Sequence, residues 1–327
     1  MTIRIGISGW TYTPWRGIFY PEGLRQKDEM AYAAATFPSI EVNGTFYGSQ
    51  WPASFKRWAA VAPEDFVFSI KAPRYITHIL RLRDARSALA NFLASGLLAL
   101  GPKLGPILWQ MPPSYRFDEK SLAAFLRLLP HDTEEASKLA ARHDRPIKGG
   151  AFLTPDAKRP MRHALEIRHD SFRDSRFIDL LREHDVALVV ADAVEWPCLE
   201  DVTSDFIYAR LHGSEQLYVN RYTTSALDRW ARKFRTWAEG GEPRGANRIG
   251  RKAPRRKRDI FVYFDNDAKV HAPFDAMRLA RRLGVSAKPP PFNPPKKKAA
   301  AKSEAKLRPR RKPQRRTSTS RAPASLA

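Results

Sequence analysis

Ala164-Leu165-Glu166-Ile167-Arg168-His169 is a short apolar strand with a carboxylate and a guanidinium set into it, followed at once by an imidazole. Glu166 and Arg168 are two residues apart, so they share one face of the strand. Charged side chains are almost never buried unpaired, so that face must look into a polar, converging place. Seven further runs of Val, Ile, Leu or Phe read as strands: Ile3–Ser8, Ser39–Asn43, Phe66–Lys71, Pro106–Met111, Val186–Ala191, Phe206–Leu211 and Ile260–Phe264. Helical stripes lie between most of them. Met30, Ala33, Ala34 and Phe37 form one; Phe55, Trp58 and Ala59 another; Leu89, Phe92 and Leu93 a third. Leu122, Phe125, Leu126 and Leu129 follow, then Phe177, Leu180 and Leu181, and Ala272, Ala276, Leu279 and Leu283 close the series. The strongest stripe, Leu227, Trp230, Ala231, Phe234 and Trp237, reads as core and not as a cofactor site. Eight strands alternating with helices predict parallel βα units closed as an α/β, TIM-like (β/α)8 barrel.

Two places depart from the regular pattern. Between Ala191 and Phe206 there is no room for a normal helix, so the unit between the sixth and seventh strands is irregular. The segment from Pro130 to Ala164 is in excess. It carries an extra helix over Thr133–His143 and a polar loop with Lys148, Lys158, Arg159 and Arg162. The domain reading is one barrel over residues 1–284, with the extra helix and loop at 131–162 and a basic, flexible insertion at 240–258. After Gly284, Pro289-Pro290-Pro291 and Pro294-Pro295 stop regular structure. Residues 285–327 read as a disordered basic Pro/Ala/Lys/Arg tail.

The net charge of +23 over 327 residues is unevenly placed. Residues 288–327 hold 13 Lys/Arg against the single acid Glu304, and residues 244–258 hold 8 Lys/Arg and no acid, which leaves the barrel body nearly neutral. The tail cations Lys296, Lys297, Lys298, Arg310, Arg311, Lys312, Arg315 and Arg316 suit sequence-nonspecific nucleic acid or another polyanion; the plain alternative is a solubilising extension. The single cysteine, Cys198, excludes a disulfide framework and a four-cysteine zinc site. The apolar stretch Phe92–Met111 is broken by Gly96, Gly101, Pro102, Lys103, Gly105 and Pro106, so no membrane span is expected. With strand-like Ile3–Ile7 at the start and no apolar leader, the expectation is a cytoplasmic protein.

In a barrel, functional groups come from the C-terminal ends of the strands and the loops just after them. The first strand end offers Trp10, Tyr12 and Trp15; the second Glu41, Asn43 and Tyr47; the third Lys71; the fourth Gln110. The fifth offers Glu166, Arg168 and His169, the sixth Asp192, the seventh Arg210 and His212, the eighth Asp265, Asn266 and Asp267. Three period-2 pairs, Glu41/Asn43, Glu166/Arg168 and Arg210/His212, aim both members inward.

These residues sit in motifs similar to those of the YecE-like family, catalogued as domain of unknown function 72. The matching stretches are Gly6-Ile7-Ser8-Gly9-Trp10, Tyr20-Pro21, Glu41-Val42-Asn43-Gly44-Thr45-Phe46-Tyr47, Phe68-Ser69-Ile70-Lys71, Thr77-His78, Gln110-Met111-Pro112-Pro113, Leu165-Glu166-Ile167-Arg168-His169 and Tyr208-Ala209-Arg210-Leu211-His212-Gly213. The resemblance spans roughly residues 3–284 and implies a TIM-like barrel. It hands over no reaction, because the family's activity is not established. Asp265 departs from the pattern: two adjacent asparagines are expected where Asp265-Asn266 stand. The basic insertion and tail lie outside the resemblance.

The candidate chemistry is an enzyme acting on a small polar, anionic, sugar- or nucleotide-like substrate. Glu41 and Glu166 would be acid/base or nucleophile candidates, with Asp192 a third carboxylate. His212 would carry protons, and Lys71, Arg168 and Arg210 would stabilise charge. Trp10, Tyr12, Asn43, Tyr47, Gln110, His169, Asp265 and Asn266 would line the substrate. The bland alternative makes Glu166/Arg168 part of a structural ion-pair network, and His78 and His169 loop or cap histidines. Glu41, Glu166, Asp192 and His212 are suitable ligand types for a divalent metal, but Lys71, Arg168 and Arg210 oppose one and no HExxH occurs, so no metal or cofactor is expected. No GxGxxG follows a strand, and neither GxxxxGK[ST] nor GxSxG occurs. The runner-up is a nucleic-acid-associated binding protein with the barrel as ligand sensor or scaffold. Glu41 and Glu166 about 5–10 Å apart would favour glycosidase-like chemistry. A basic stripe from the pocket to Arg251–Arg258 would favour the scaffold.

Overall fold

Side chains alternate across every strand, and the chain uses that alternation to build two separate apolar regions. A computed structural model describes residues 1–213, 221–266 and 270–292. Strands β1 (Ile3–Ser8), β2 (Ser39–Val42), β3 (Val67–Lys71), β4 (Leu104–Gln110), β5 (His163–Glu166), β6 (Val186–Ala193), β7 (Phe206–Gly213) and β8 (Asp259–Phe264) pair in sequence order, all parallel, and close into a barrel. The closure runs through Ile3 opposite Ile260 to Ile7 opposite Phe264. Residues on one face of each strand, such as Ile5, Ile7, Ile40, Phe68, Trp109, Leu165, Leu188 and Leu211, turn outward into the layer of helices. Their neighbours Leu108, Ala164, Ala187, Val189, Ala191, Phe206, Tyr208, Phe261 and Tyr263 form a second cluster inside the barrel. The predicted barrel is therefore the observed one.

The helices are α1 (Glu29–Thr36), α2 (Gly44–Tyr47), α3 (Pro52–Val61), α4 (Arg86–Ala94), α5 (Glu119–Leu126), α6 (Thr133–Ala140), α7 (Ser175–Glu183), α8 (Thr224–Ala238) and α9 (His271–Leu283). All but α2 and α6 fall on the expected apolar stripes; α6 is the expected extra helix, and α2 is a short turn the sequence reading did not anticipate. Several starts are written locally: Asp118, Asp132, Asp174 and Thr223 each accept a hydrogen bond from the first-turn backbone of α5, α6, α7 and α8. The stop of α9 is Gly284, at φ 69°, which glycine adopts without strain. Val285, Ala287 and Phe292 still pack on the core, so the body continues past the expected edge at 284. Gly6 is required by close approach: a Cβ there would lie 1.9 Å from the Ser39 carbonyl oxygen. Among the described residues no helix is long and apolar enough to cross a membrane.

The irregular unit between β6 and β7 is real, and the basic segment 240–258 explains how the fold tolerates it. That segment lacks regular secondary structure but is pinned where a helix would otherwise lie. Asn247 accepts from the Glu200 N–H at 2.8 Å, and its own N–H donates to Glu200 Oε2. The Ile249 and Gly250 N–H groups donate to Asp201, and Arg182 of α7 donates to the Arg251 carbonyl. Arg258 is buried and donates to the Arg256 and Pro254 carbonyls. A segment read as flexible from its charge is thus held by backbone hydrogen bonds to two acids of the opposing irregular segment. Its cationic end, around Arg256, lies beside Asp205 where β7 begins and leads straight into β8. That is the end of the barrel opposite the strand C-termini, so the cations around Arg256 stand away from the mouth. The tail cations Lys296, Lys297, Lys298, Arg310, Arg311, Lys312, Arg315 and Arg316, together with Asp267, lie outside the described residues.

Candidate functional site

At the C-terminal end of the lumen one guanidinium organises three strands and a loop. Arg210, wholly buried, donates through Nε and Nη2 to Glu41, at 3.0 Å to Oε2 and 2.8 Å to Oε1. Its Nη1 donates to Glu166 Oε2 at 2.7 Å, and Nη2 also donates to Asp265 Oδ2 at 2.8 Å. Glu41 accepts further bonds from Ser8 Oγ (2.9 Å) and Tyr208 OH (2.6 Å), so its lone pairs are filled. Glu166 Oε1 accepts from Arg168 Nε at 2.7 Å, while the Arg168 guanidinium lies 3.6 Å over the Trp196 ring. His212 Nδ1 is 3.1 Å from Asp265 Oδ2, and Trp196 meets the His212 ring edge-on. Below this layer Ser39 and Ser69 each sit 2.7 Å from a tyrosine hydroxyl, Tyr263 and Tyr208 respectively.

The electrostatics follow from this pairing. Burial by itself would lift Glu166, but Arg168, Arg210 and His212 overcome it and hold the carboxyl well below the usual range. Burial also opposes ionisation of Asp265, and Arg210 with His212 brings it down to about 2. Both are locked as anions. Arg210 in turn stands well above its ordinary value, because Glu41, Glu166 and Asp265 outweigh its burial.

Lys71 is different. It is 6% exposed, its Nζ lies 4.4 Å over the Phe46 ring, and among the described residues Nζ has no hydrogen bond and no ion pair. Burial and the Arg210 charge lower it to about 8, against the pull of Glu41, Asp265 and Glu166. Two neighbours share this condition. Gln110, at the end of β4, is buried with no side-chain hydrogen bond among the described residues, and Asn43 Oδ1, just past β2, is buried without a donor. So three adjacent strands, β2, β3 and β4, present polar groups that the protein itself leaves uncommitted. On the far side Glu41 and Glu166 have both oxygens bonded, and Asp265 is held through Oδ2 by Arg210 and His212.

Other expected members stand elsewhere. Asp192 alternates out of the lumen: its Oδ2 accepts from Tyr222 OH at 2.8 Å and from Trp230 Nε1 of α8 at 3.0 Å, and burial raises its carboxyl. The one-residue phase between Ala191 and Asp192 puts it in the helix layer. Asn266 donates to Asp275 of α9 at 3.0 Å and so ties β8 to that helix. His169 caps a short 3-10 turn, with Nδ1 accepting from the Ser171 N–H, as the cap reading expected. Tyr47 is 76% exposed, Trp10 packs edge-on against Trp58 of α3, and Tyr12 OH donates to the Ser8 carbonyl. Trp15, read at the first strand end, is core. Among the described residues no three His, Cys, Asp or Glu are grouped to hold a metal. A cavity of about 230 Å3 lies beside α2, lined by Thr45, Pro73, Tyr75, Asn91 and Asp144, and none of the charged cluster borders it.

Five contributors were not read as site residues in the sequence. Tyr208 continues the period-2 series of Arg210 and His212, and Ser8 ends β1, so both had a signal. Phe46 and His78 had only their place in the motifs. His78 sits in a π-turn (Tyr75–Ile79) with its ring against Phe46, and burial with Arg74, Arg168 and Lys71 lowers it to about 4. Trp196 had none, because it lies in the irregular segment.

Comparison with known proteins places these residues in a wider set. Residues 4–300 match the model of the family described as protein of unknown function DUF72. The UPF0759 protein YecE of Escherichia coli K12 is 25% identical over 246 residues, covering 74% of this chain and 84% of that protein. YunF of Bacillus subtilis is 28% identical over 134 residues, 39% of this chain and 46% of that protein. A DUF72 family protein from Thermotoga maritima superposes with a TM-score of 0.65 at 23% identity over 87% of this chain and all of the other, a likeness of fold.

Proposed function

This chain belongs to the DUF72 family of YecE-like proteins, and from that starting point we propose that it is a cytoplasmic enzyme acting on a small polar, anionic, sugar-like substrate by acid/base chemistry at the C-terminal mouth of its barrel. One observation carries the reading: among the described residues Asn43 Oδ1 and the side-chain polar groups of Lys71 and Gln110 have no hydrogen-bond partner, on adjacent strand ends above a frame in which Arg210 binds Glu41, Glu166 and Asp265. Buried polar groups normally find partners, and uncommitted ones at a barrel mouth are matched to a ligand. The roles shift accordingly. A carboxyl held well below its usual range is a poor proton donor near neutrality, so Glu166 serves as electrostatic frame, and Glu41 joins it because Arg210, Ser8 and Tyr208 fill its lone pairs. The guanidinium between them also fills the space that a glycosidase-like carboxylate pair would leave for sugar and water. Lys71, lowered to about 8, is the proton-transferring group. Arg168, whose Nη1 is uncommitted among the described residues, meets the anionic end of the substrate.

Lys71→Met should therefore abolish ligand-induced stabilisation in a thermal-shift screen of phosphosugars and nucleotides, where a ligand at 100 Kd adds about 2.7 kcal/mol to the wild type. Any turnover found should fall at least about 100-fold. The unliganded melting temperature should hold or rise, since a buried unpaired ammonium is removed. A Lys71→Met protein that still responds to the wild type's ligand overturns the assignment.

A second reading is favoured by charge placement: the tail, with 13 Lys/Arg against one acid, binds nucleic acid or another polyanion through phosphate contacts. Full-length protein should lose about 10³-fold or more in affinity for duplex DNA between 50 and 200 mM salt if six or more contacts form. A chain ending at Phe292 should bind weakly at both. Equal binding by the two chains at equal salt removes this reading.

A further inference from the structure

The uncommitted amine of Lys71 has a geometry that fits covalent chemistry as well as proton transfer. It ends β3 at the barrel mouth, nine-tenths buried, against the flat Phe46 ring. The groups facing it are Arg210 of β7, Glu41 of β2, Glu166 of β5 and Asp265 after β8; the half-buried His78, in its π-turn, also packs on Phe46. None is within ion-pair distance of Nζ, and the carboxylates are turned to Arg210 instead. A buried lysine that serves structure is normally held by a carboxylate. This one is kept apart from three of them by the guanidinium they share.

We propose that Lys71 is a nucleophile that forms an imine with the carbonyl carbon of a small aldehyde or ketone substrate bearing an anionic group. The inference rests on the mouth being the active site, as argued above, and deepens it by naming the substrate class. The nitrogen lone pair attacks the carbonyl carbon, the C–N bond forms, and the carbonyl π pair moves to oxygen, which takes up a proton. The nitrogen gives up one proton, the oxygen takes up a second from solvent and departs as water, and the nitrogen lone pair closes the C=N bond of a protonated imine; no oxidant or reductant is consumed. The protonated imine carries the positive charge that the ammonium carried, so the balance against Glu41, Glu166 and Asp265 is unchanged. Gln110 on the next strand offers amide protons to the departing oxygen, and Arg168 Nη1 offers a donor to the anionic group. With Lys71 lowered to about 8, about a quarter of it is free amine at pH 7.5, against about 0.1% for an ordinary lysine.

The test traps the imine on the full chain. Formaldehyde with cyanoborohydride at pH 7.0, quenched early and read by peptide mass spectrometry, needs no substrate recognition. Lys71 should be methylated at least about tenfold faster than the exposed lysines Lys27 and Lys120; labelling of Lys71 at or below their rate overturns the proposal. Dihydroxyacetone phosphate and pyruvate with the same reductant should each be tried. At least one should leave a single secondary-amine adduct on Lys71, absent from Lys71→Arg and suppressed at pH 6. Adducts spread over surface lysines, equal in Lys71→Arg, also overturn it. A ligand that stabilises the wild type but not Lys71→Met, with neither probe nor formaldehyde trapped at Lys71, rejects the imine and leaves the active-site reading standing. If no such ligand exists and no adduct forms, both are rejected.

Discussion

Replacing Arg210 with leucine should lower stability by at least about 3–5 kcal/mol at pH 7, read as a fall in the urea midpoint with little change in slope. Few single changes in this chain strip partners from so many buried ions. Arg210 satisfies Glu41, Glu166 and Asp265 together, and the two glutamates are wholly buried. Removing it leaves three carboxylates in the lumen with Lys71 and Arg168 as the remaining cations of the cluster. The cost is a large fraction of a typical 5–15 kcal/mol stability. Arg210→Lys should recover little, because one ammonium cannot fork to three carboxylates. The sign of the pH dependence identifies the cause. In the wild type, Glu166 and Asp265 are held below their ordinary values, so their stabilising contribution is complete above the unfolded carboxylate range and is lost only as pH falls through the lowered values. Without Arg210 burial dominates and raises the folded values, so protonation becomes stabilising. The gap between variant and wild type should narrow from pH 7 to pH 5. A gap that stays constant or widens means the loss comes from packing and not from charge.

Acidification should act on the wild type through His163, on the outer face of the barrel. The ring is buried, accepts from Trp109 Nε1 at Nδ1 (3.1 Å) and sits 2.8 Å from the Pro130 carbonyl at Nε2, where it donates. Burial holds it down to about 4, against an ordinary value of 6.5. A base lowered on folding binds fewer protons when folded, so stability is present above the unfolded value and drains away as pH falls from 6.5 towards 4. Between pH 7 and pH 4.5 this one ring should cost about 2–3 kcal/mol. His163→Gln keeps a donor for the Pro130 carbonyl and cannot ionise. Its urea midpoint should therefore fall less than that of the wild type over that interval, and equal falls would show that His163 is not the group responsible.

The barrel was legible because its causes are local. The period-2 alternation of Ile5/Ile7 against Gly6/Ser8, repeated through Phe264, already separates the outer layer from the lumen. The end that carries polar groups was legible for the same reason: Glu41, Glu166, Arg210 and His212 are all in phase, and the structure brings them within hydrogen-bond reach of one another. Asp192 failed by one residue of phase, a slip that sends a side chain to the opposite face. The basic segment 240–258 was misread as flexible because composition does not show that Glu200 and Asp201, some forty residues earlier, stand ready to accept its backbone N–H groups.

What the sequence determined by itself, then, is the barrel, its family and the rim where polar groups gather, since periodicity and motif order depend only on neighbours along the chain. Which of those groups are spent and which are free was decided in three dimensions. Hydrogen bonding is a matter of saturation, and the one guanidinium that satisfies Glu41, Glu166 and Asp265 comes from β7, distant in sequence from all three. The same pairing leaves Lys71, among the described residues, with a ring face and no carboxylate.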